Sequence, residues 1–207
     1  MRKCFVLVGL LLLTAGWALA QGEYPTVETS PAFMFIRTPI AGQSFNCAGG
    51  GGTIAYNVTK LLGIAADLGG CRIFGNTLGL GNTIKGNEFT FLFGPRFTIR
   101  TASAFEPFFE VNFGGARVSL TCHSDAQQCV NATNGATFSK TAFAMTAGGG
   151  FQVKLSKKIS LRPLQAEYLY TRFGNNCPLT ACNDNRNQNS FRLKSGIVIN
   201  WGGSSSN

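Results

Sequence analysis

The chain has 207 residues and a formal net charge of +9, yet only 13% of its residues are charged, whereas glycine and phenylalanine are abundant. The charged residues stand singly within apolar stretches, and the sequence has no cluster of lysine and arginine. A nucleic-acid-binding domain needs such a basic patch. The composition therefore excludes nucleic acid as a partner.

The first twenty residues have the pattern of a secretory signal peptide. Two positive charges precede a short apolar run over residues 4–13, and Ala18-Leu19-Ala20 supplies small residues for cleavage. The alternative is an uncleaved helical anchor, but the run is shorter than the ~20 apolar residues of a spanning helix. We predict a signal peptide at residues 1–20 and a single domain at residues 21–207.

Downstream, the sequence alternates between apolar and polar residues. In the segment 88–100, phenylalanines occupy positions 89, 91, 93 and 97, and most polar residues occupy the even positions. Successive side chains of a strand point to opposite faces, so one face of this strand carries a row of phenylalanines. Such a row overfills the lumen of a small soluble barrel but suits contact with lipid. The pattern favours a membrane barrel.

The whole chain after the signal peptide divides into eight predicted strands. Connections near Thr59, Ala102 and Lys157 are tight, and those at 39–49, 73–87, 120–139 and 173–189 are long. This alternation is typical of outer-membrane barrels. It predicts an all-β fold, an eight-stranded antiparallel up-and-down transmembrane β-barrel. The predicted strands are 29–38, 50–58, 61–72, 88–100, 105–119, 140–155, 159–172 and 190–201.

Six cysteines follow the signal peptide, and an even number in an exported chain favours disulfides. Two pairs are close in sequence, which leaves Cys47 to pair with Cys71. A hairpin register that sets Ile54 opposite Ile64 also sets Cys47 directly opposite Cys71, within reach of a disulfide. Metal binding is the alternative, but the chain has one histidine and no repeated Cys-x-x-Cys motif. The six disulfide candidates are Cys47, Cys71, Cys122, Cys129, Cys177 and Cys182.

Charged residues on the polar faces of the strands point into the predicted lumen. The hairpin around Ala102 sets Arg96 opposite Glu110, and we expect an ion pair there. We expect a second contact of Glu167 with Arg192 or Lys194. A paired network of this kind fills the lumen of an eight-stranded barrel and argues against an open pore. The predicted lumen charges are Asp67, Arg96, Glu106, Glu110, Glu167, Arg192 and Lys194, with Arg117 also placed inward.

Three patterns that sometimes indicate chemistry are weak in this chain. Glu106 and Glu110 share a strand face, but nothing nearby completes a catalytic site. His123-Ser124 lies in a predicted loop without a third group to orient the base. The glycine runs at 49–52 and 148–150 lack the Gly-Lys-Ser/Thr sequence of a phosphate loop. We predict no enzymatic activity, no cofactor and no metal site.

Several ordered motifs resemble the outer-membrane β-barrel domain family, relatives of the barrel of outer membrane protein A, in its acidobacterial form. They are GGGTIAYNVT at 50–59, LGIAADLGG at 62–70, FLFGPRF at 91–97, RPLQAEYLYTRF at 162–173 and LKSGIV at 193–198. The resemblance implies an eight-stranded barrel in the outer membrane. It carries over no catalytic residues.

These observations predict an outer-membrane protein with a structural, envelope or surface-interaction role. The alternatives are a narrow porin for small solutes and a secreted, soluble, lipocalin-like ligand-binding barrel. The expected partners are outer-membrane lipid and lipopolysaccharide, to which the excess positive charge is attracted. Surface ligands that contact the long loops are a further expected class of partner.

Overall fold

The alternating sequence forms long antiparallel strands. The computed structural model describes residues 24–40, 43–74, 77–78, 82–101, 103–123, 137–173 and 187–202. Within these ranges, the structure has no helix that is long and apolar enough to cross a membrane. The strands in these ranges are β1 (Val27–Ile40), β2 (Gln43–Asn57), β3 (Leu62–Phe74), β4 (Thr77–Leu78), β5 (Asn82–Thr98), β6 (Phe105–His123), β7 (Thr137–Lys154), β8 (Ile159–Arg172) and β9 (Asn187–Trp201).

The eight long strands close into a barrel. Consecutive strands pair antiparallel from β1 to β3 and from β5 to β9, β1 pairs with β9, and β3 pairs with β5. The two-residue strand β4 pairs with the start of β5. The predicted eight-stranded antiparallel barrel is confirmed. Closure removes the unpaired strand edges, and eight strands enclose an interior that side chains can fill.

The two ends of the barrel differ in their connections. At one end, here called the turn end, short turns cover residues 58–61, 99–104 and 155–158. The first and last described segments also meet there, where the Thr26 N–H donates to the Gly202 carbonyl over 2.6 Å. At the opposite, loop end, residues 124–136 and 174–186 connect β6 to β7 and β8 to β9. This difference agrees with two of the predicted long connections, those at 120–139 and 173–189.

Two of the four connections predicted to be long are wrong. In the predicted connection 73–87, residues 82–87 belong to β5, and Thr83 to Asn87 each have a partner on β6. The segment 39–49 was expected to be a long connection, but only residues 41 and 42 separate β1 from β2. Each residue from Gln43 to Ala48 has a partner on β1, down to the pair Ile40 and Gln43. Backbone pairing therefore continues through a polar, glycine-containing segment whose composition suggested a loop.

The large apolar side chains lie outside the barrel and the polar ones inside. Phe33 is 60% exposed and Phe93 is 65% exposed, and similar residues surround the barrel. Arg96, Glu110 and Gln165 on the opposite strand faces are almost completely buried. A soluble ligand-binding barrel would need its phenylalanines in the lumen. The lipocalin-like alternative is therefore wrong, because these side chains form an outward band suited to lipid.

The disulfide between Cys47 and Cys71 is confirmed, although the predicted register is wrong by two residues. Ile54 lies opposite Ala66 rather than Ile64, and Cys71 lies opposite Gly49. The two cysteines are diagonal neighbours on the lumen face, with Cα atoms 5.5 Å apart. A two-residue slip keeps every side chain on its face, so the bridge and the facing are both retained.

Candidate functional site

The lumen contains a network of charged side chains, here called the charged layer, in its turn-end half. Side chains from six of the long strands contribute, because alternate residues of each strand point inward. Among the described residues, five carboxylates and five cations are at least nine-tenths buried there. They are Glu28, Asp67, Glu106, Glu110, Glu167, Arg96, Arg100, Arg162, Arg192 and Lys194.

Glu110 lies at the centre of the charged layer. Arg96, opposite it on β5, donates to its Oε2 atom from Nε over 2.8 Å, and the Nη2 atom of Arg96 lies 2.7 Å from the same oxygen. Gln165 donates to the other oxygen of Glu110 over 2.5 Å. Lys194 adds a longer contact of 3.9 Å. The predicted register of Arg96 and Glu110 is therefore correct, and the carboxylate has partners on three strands.

A second group joins β3, β8 and β9. The Arg192 Nε atom donates to Glu167 over 2.7 Å, and its Nη1 atom lies 3.0 Å from Asp67. Lys194 also donates to Asp67 and lies 3.4 Å from Glu167. Thr53 donates a further hydrogen bond to Asp67 over 2.9 Å. Two cations therefore hold two carboxylates across the barrel, which includes both contacts expected for Glu167.

The charged layer extends to the turn end through Glu28. Arg100 donates to Glu28 over 2.5 Å, Asn57 donates to it over 3.1 Å, and Arg96 lies 3.6 Å away. Arg100 also donates to the Lys60 carbonyl over 2.6 Å, which ties the layer to the turn between β2 and β3. Glu28 and Arg100 close the lumen near the turn end.

Two arginines enclose an aromatic ring on the β6 side. The guanidinium carbons of Arg96 and Arg162 lie 5.0 and 4.6 Å from the centre of the Phe108 ring. This geometry is suited to cation–π attraction, which contributes most when the charge is desolvated. Arg162 also donates to Gln165 over 3.2 Å and to Gln152 over 3.4 Å. Neutral groups therefore surround a cation that has no carboxylate within salt-bridge distance in the described part of the chain.

The ion pair of Glu106 and Lys154 is more exposed to water than the ion pairs around Glu110 and Arg192. The Lys154 Nζ atom lies 2.7 Å from one Glu106 oxygen, and Gln152 donates to the other oxygen over 3.0 Å. The Lys154 side chain is 39% exposed, so water screens this contact. The central pairs have no such access to water.

The loop-end half of the lumen contains a cluster of apolar side chains, here called the apolar layer, with Glu88 and the hydrogen-bonded pair Thr38 and Ser190 beside it. Its side chains touch the charged layer at Met34, whose sulfur lies 4.0 Å from Arg192. Gly69 leaves the room that this packing needs, because a Cβ there would lie 2.9 Å from the Met34 methyl carbon. The layer consists of Met34, Ile36, Cys47, Cys71, Leu92, Ala116, Ala144 and Leu169, with Ile73 against it.

One buried polar pair remains without protein partners. Asn112 and Thr146 lie opposite each other on β6 and β7, and both side chains are fully buried. Neither polar atom of the Asn112 amide, nor the Thr146 hydroxyl, forms a hydrogen bond in the described part of the chain. Buried polar groups of this kind usually bind water. They mark a polar strip on the β6–β7 wall.

The structure brings all seven predicted lumen charges together, and it adds three that the sequence analysis missed. Glu28 precedes the predicted start of the first strand, and Arg100 stands at the predicted end of the fourth. Arg162 was missed because β8 has an irregularity between Arg162 and Gln165. The shift turns both an even and an odd position inward, which strict alternation does not allow.

The inward placement of Arg117 is wrong. Arg117 is exposed, and its Nε atom donates to the Ser139 hydroxyl over 2.9 Å. It has the opposite parity to Glu106, Glu110 and Asn112, which face the lumen on the same strand. A side-chain period of two therefore places Arg117 outside.

The remaining predicted features have separate outcomes. Cys129, Cys177, Cys182 and the side chains of Cys122 and His123 lie outside the described residues. Sulfurs of Cys47 and Cys71 lie within 4.8 Å of a Glu88 oxygen. Because the two sulfurs are bonded to each other, they do not offer the thiolates that a metal ion needs. The signal peptide also lies outside the described residues and stays a prediction.

A family model described as outer membrane protein beta-barrel domain matches residues 5–196. Neisserial surface protein A is 15% identical, with a TM-score of 0.58 over 87% of this chain and 100% of that one. Ail, the attachment invasion locus protein of Yersinia pestis, is 14% identical, with a TM-score of 0.50 over 83% and 97% of the two chains. The search of curated proteins found no match. At these identities, the solved structures establish the shared fold.

Proposed function

Because this chain belongs to the outer membrane protein beta-barrel domain family, and thus lies in the outer membrane, we propose that it is a sealed barrel. Its role is structural or one of surface interaction, and its lumen does not conduct. Long connections of such barrels face the cell exterior, so we assign the loop end to the outside. The barrel then presents its loops to the surroundings and its turns to the periplasm.

The observation that carries this proposal is the continuity of the charged layer across the lumen. Glu110 on β6, Arg96 on β5 and Glu28 on β1 form one connected chain of contacts. Asp67 and Arg192 connect β3 to β9 in the same way. To open a pore, these pairs must separate while still buried, and each separated charge would cost several kcal/mol.

The apolar layer supports the same conclusion by a different mechanism. Ile36 and Leu169 are fully buried, and Leu92 is 3% exposed. An ion that passed the charged layer would have to cross this apolar section, where it loses hydration and where Glu88 is the one carboxylate among the described residues. The lumen is therefore closed twice along its axis.

Conductance in planar lipid bilayers tests the proposal. The purified, refolded protein, checked for the mobility difference between boiled and unboiled samples, is expected to give no channel events above the detergent control. As a positive control, Arg192→Ala/Lys194→Ala is combined with Leu92→Ser/Leu169→Ser. The first two changes remove two cations and leave Asp67 and Glu167 as fixed negative charges, and the other two place hydroxyl groups in the apolar layer. This variant is expected to pass cations. Regular channel events from the unaltered protein would overturn the sealed barrel.

The second candidate, a narrow porin, is favoured by Asn112 and Thr146. Their unpartnered polar atoms provide a strip along the β6–β7 wall where water can bind. If this strip is a conduction path, small steady currents should appear in the unaltered protein and disappear when Thr146→Val removes the hydroxyl. The matched control is Thr141→Val, an exposed threonine on the outer face of the same strand.

The surface-interaction role rests on the two long loop-end connections and on the positive charge of the chain. We propose lipopolysaccharide as a partner in the membrane and unidentified surface ligands for the loops. Ail has been solved in complex with the heparin analogue sucrose octasulfate, which shows that a barrel of this fold binds a sulfated sugar. We propose no catalytic role, because Glu106 and Glu110 are each held by a cation in the lumen.

A further inference from the structure

Among the described strand residues, carboxylates occur on only one face of the barrel wall. Carboxylates on the described strands all belong to the lumen face: the five of the charged layer, and Glu88, whose oxygen lies close to the bridged cysteines. Exposed arginines, by contrast, stand on the outward face. There are four of these in the described strands: Arg37, Arg72, Arg117 and Arg172.

The four arginines lie at similar heights along the barrel. They belong to β1, β3, β6 and β8, which all run from the turn end toward the loop end. They follow the first residue of their strands by 10, 10, 12 and 13 positions. A tilted strand crosses the hydrocarbon layer in ~9–11 residues. Each arginine therefore reaches the outer border of that layer, and together we call them the arginine girdle.

Residues on the neighbouring strands mark the same border. Arg37 lies opposite Phe191, Arg117 opposite Phe89 and Arg172 opposite Phe143, and these phenylalanines are 49%, 48% and 50% exposed. Their other neighbours are polar, namely Asn46, Thr141 and Asn187. The stem of an arginine can lie on apolar surface while its guanidinium remains in the polar layer.

Among the described residues, no carboxylate forms an ion pair with the girdle. Arg37 donates to Ser44 over 3.3 Å and Arg117 donates to Ser139, and both acceptors are neutral hydroxyls. Neither Arg72 nor Arg172 has an ion-pair partner among the described residues. A guanidinium has five N–H donors in a planar fork, so most donors of the girdle have no acceptor within the described part of the chain.

We propose that the arginine girdle binds the phosphate groups of the lipopolysaccharide that forms the outer leaflet. Arginine matches phosphate with two parallel hydrogen bonds, which a point charge such as lysine does not provide. The inference rests on the proposed function, because it requires the loop end to face outward. It assigns the lipid partner to named residues on the wall, separate from the lumen and from the loops.

Titration of the purified full-length barrel in neutral detergent with lipopolysaccharide tests the girdle. The variant is Arg72→Gln/Arg117→Gln/Arg172→Gln. The matched control is Lys60→Gln/Lys157→Gln/Lys158→Gln, which removes three exposed charges at the turn end. A cation near an anionic lipid surface contributes about 1 kcal/mol, so the arginine variant should bind on the order of a hundredfold more weakly. The lysine control should bind as the unaltered protein does.

A second arm uses lipopolysaccharide from which the phosphates have been removed. The unaltered protein is expected to bind this probe as weakly as the arginine variant binds the phosphorylated one. Equal binding of the arginine variant and the unaltered protein would overturn the girdle, and so would an equal loss in the lysine control. Bilayer conductance of the same samples separates the two proposals, since a girdle failure in a non-conducting barrel leaves the sealed lumen standing. A conducting barrel with an intact girdle response would overturn the sealed lumen alone.

Discussion

The charged layer and the apolar layer fill one lumen with opposite chemistry. In the charged layer, Arg96, Glu110 and Arg192 are held at defined distances by partners on several strands. In the apolar layer, Leu92, Leu169 and their neighbours are in contact through shape alone. Ion pairs depend on geometry, whereas apolar packing depends mainly on volume. The first layer therefore fixes the register of the strands, and the second excludes water from the outer half.

The largest expected effect comes from breaking the centre of the charged layer. Glu110→Ala leaves Arg96 buried without its main partner, so we expect the free energy of unfolding to fall by about 3–5 kcal/mol. Glu106→Ala is the matched control, because it removes a glutamate on the same strand face whose cation is 39% exposed. We expect Glu106→Ala to lower the free energy of unfolding by about 1–2 kcal/mol. Urea titrations in phosphatidylcholine vesicles, followed by the gel mobility of unboiled samples, measure both values. Equal losses would show that depth in the lumen does not set the strength of these pairs.

Removing the disulfide tests the apolar layer. The bridge spans 24 positions in the sequence, and closing a loop of this size stabilises by about 3 kcal/mol, mostly through the unfolded chain. We expect Cys47→Ala/Cys71→Ala to lower the free energy of unfolding by that amount. Both sulfurs are in the buried lumen, so a reductant followed by alkylation should label them only in urea. Cys177 and Cys182, predicted to lie in a loop, serve as the internal control that reacts first. Labelling of all four at one rate in the folded protein would contradict the burial of the bridge.

The sequence predicted most of the fold because the alternation of apolar and polar residues agrees with the positions of the tight turns. Phenylalanines in alternate positions identify the lipid face, and the tight turns then fix which carboxylates and cations share the lumen. The register of β5 and β6 was correct because a short turn joins them and charged partners oppose each other. The register of β2 and β3 was not, since glycines at 49–52 and at 69–70 provide few side chains to distinguish it.

The missed residues have equally specific causes. Glu28 and Arg100 lie at strand ends, where boundaries read from sequence are least certain. Arg162 was missed because a backbone irregularity between Arg162 and Gln165 interrupts the alternation of inward and outward side chains. The residue types in this segment do not indicate that irregularity. The polar segment before Gly49 appeared as a loop because composition does not report backbone pairing. Sequence periodicity therefore identifies faces well, and ends and irregularities poorly.

The smallest expected effects come from conservative changes in the two layers. Arg192→Lys keeps the positive charge but loses the geometry that joins Nε to Glu167 and Nη1 to Asp67. A lysine there leaves at least one buried acceptor unpaired, and we expect a loss of about 1–3 kcal/mol in the free energy of unfolding.

Leu92→Met is the matched change in the apolar layer. It keeps the buried volume nearly constant, and we expect a loss of less than about 1.5 kcal/mol. The same urea titrations compare the two variants directly. If Leu92→Met is the more costly, shape rather than ion pairing is the stricter requirement in this lumen. The charged layer would then contribute closure without determining the register, and the strand order would have to be fixed by the turns and the outward band.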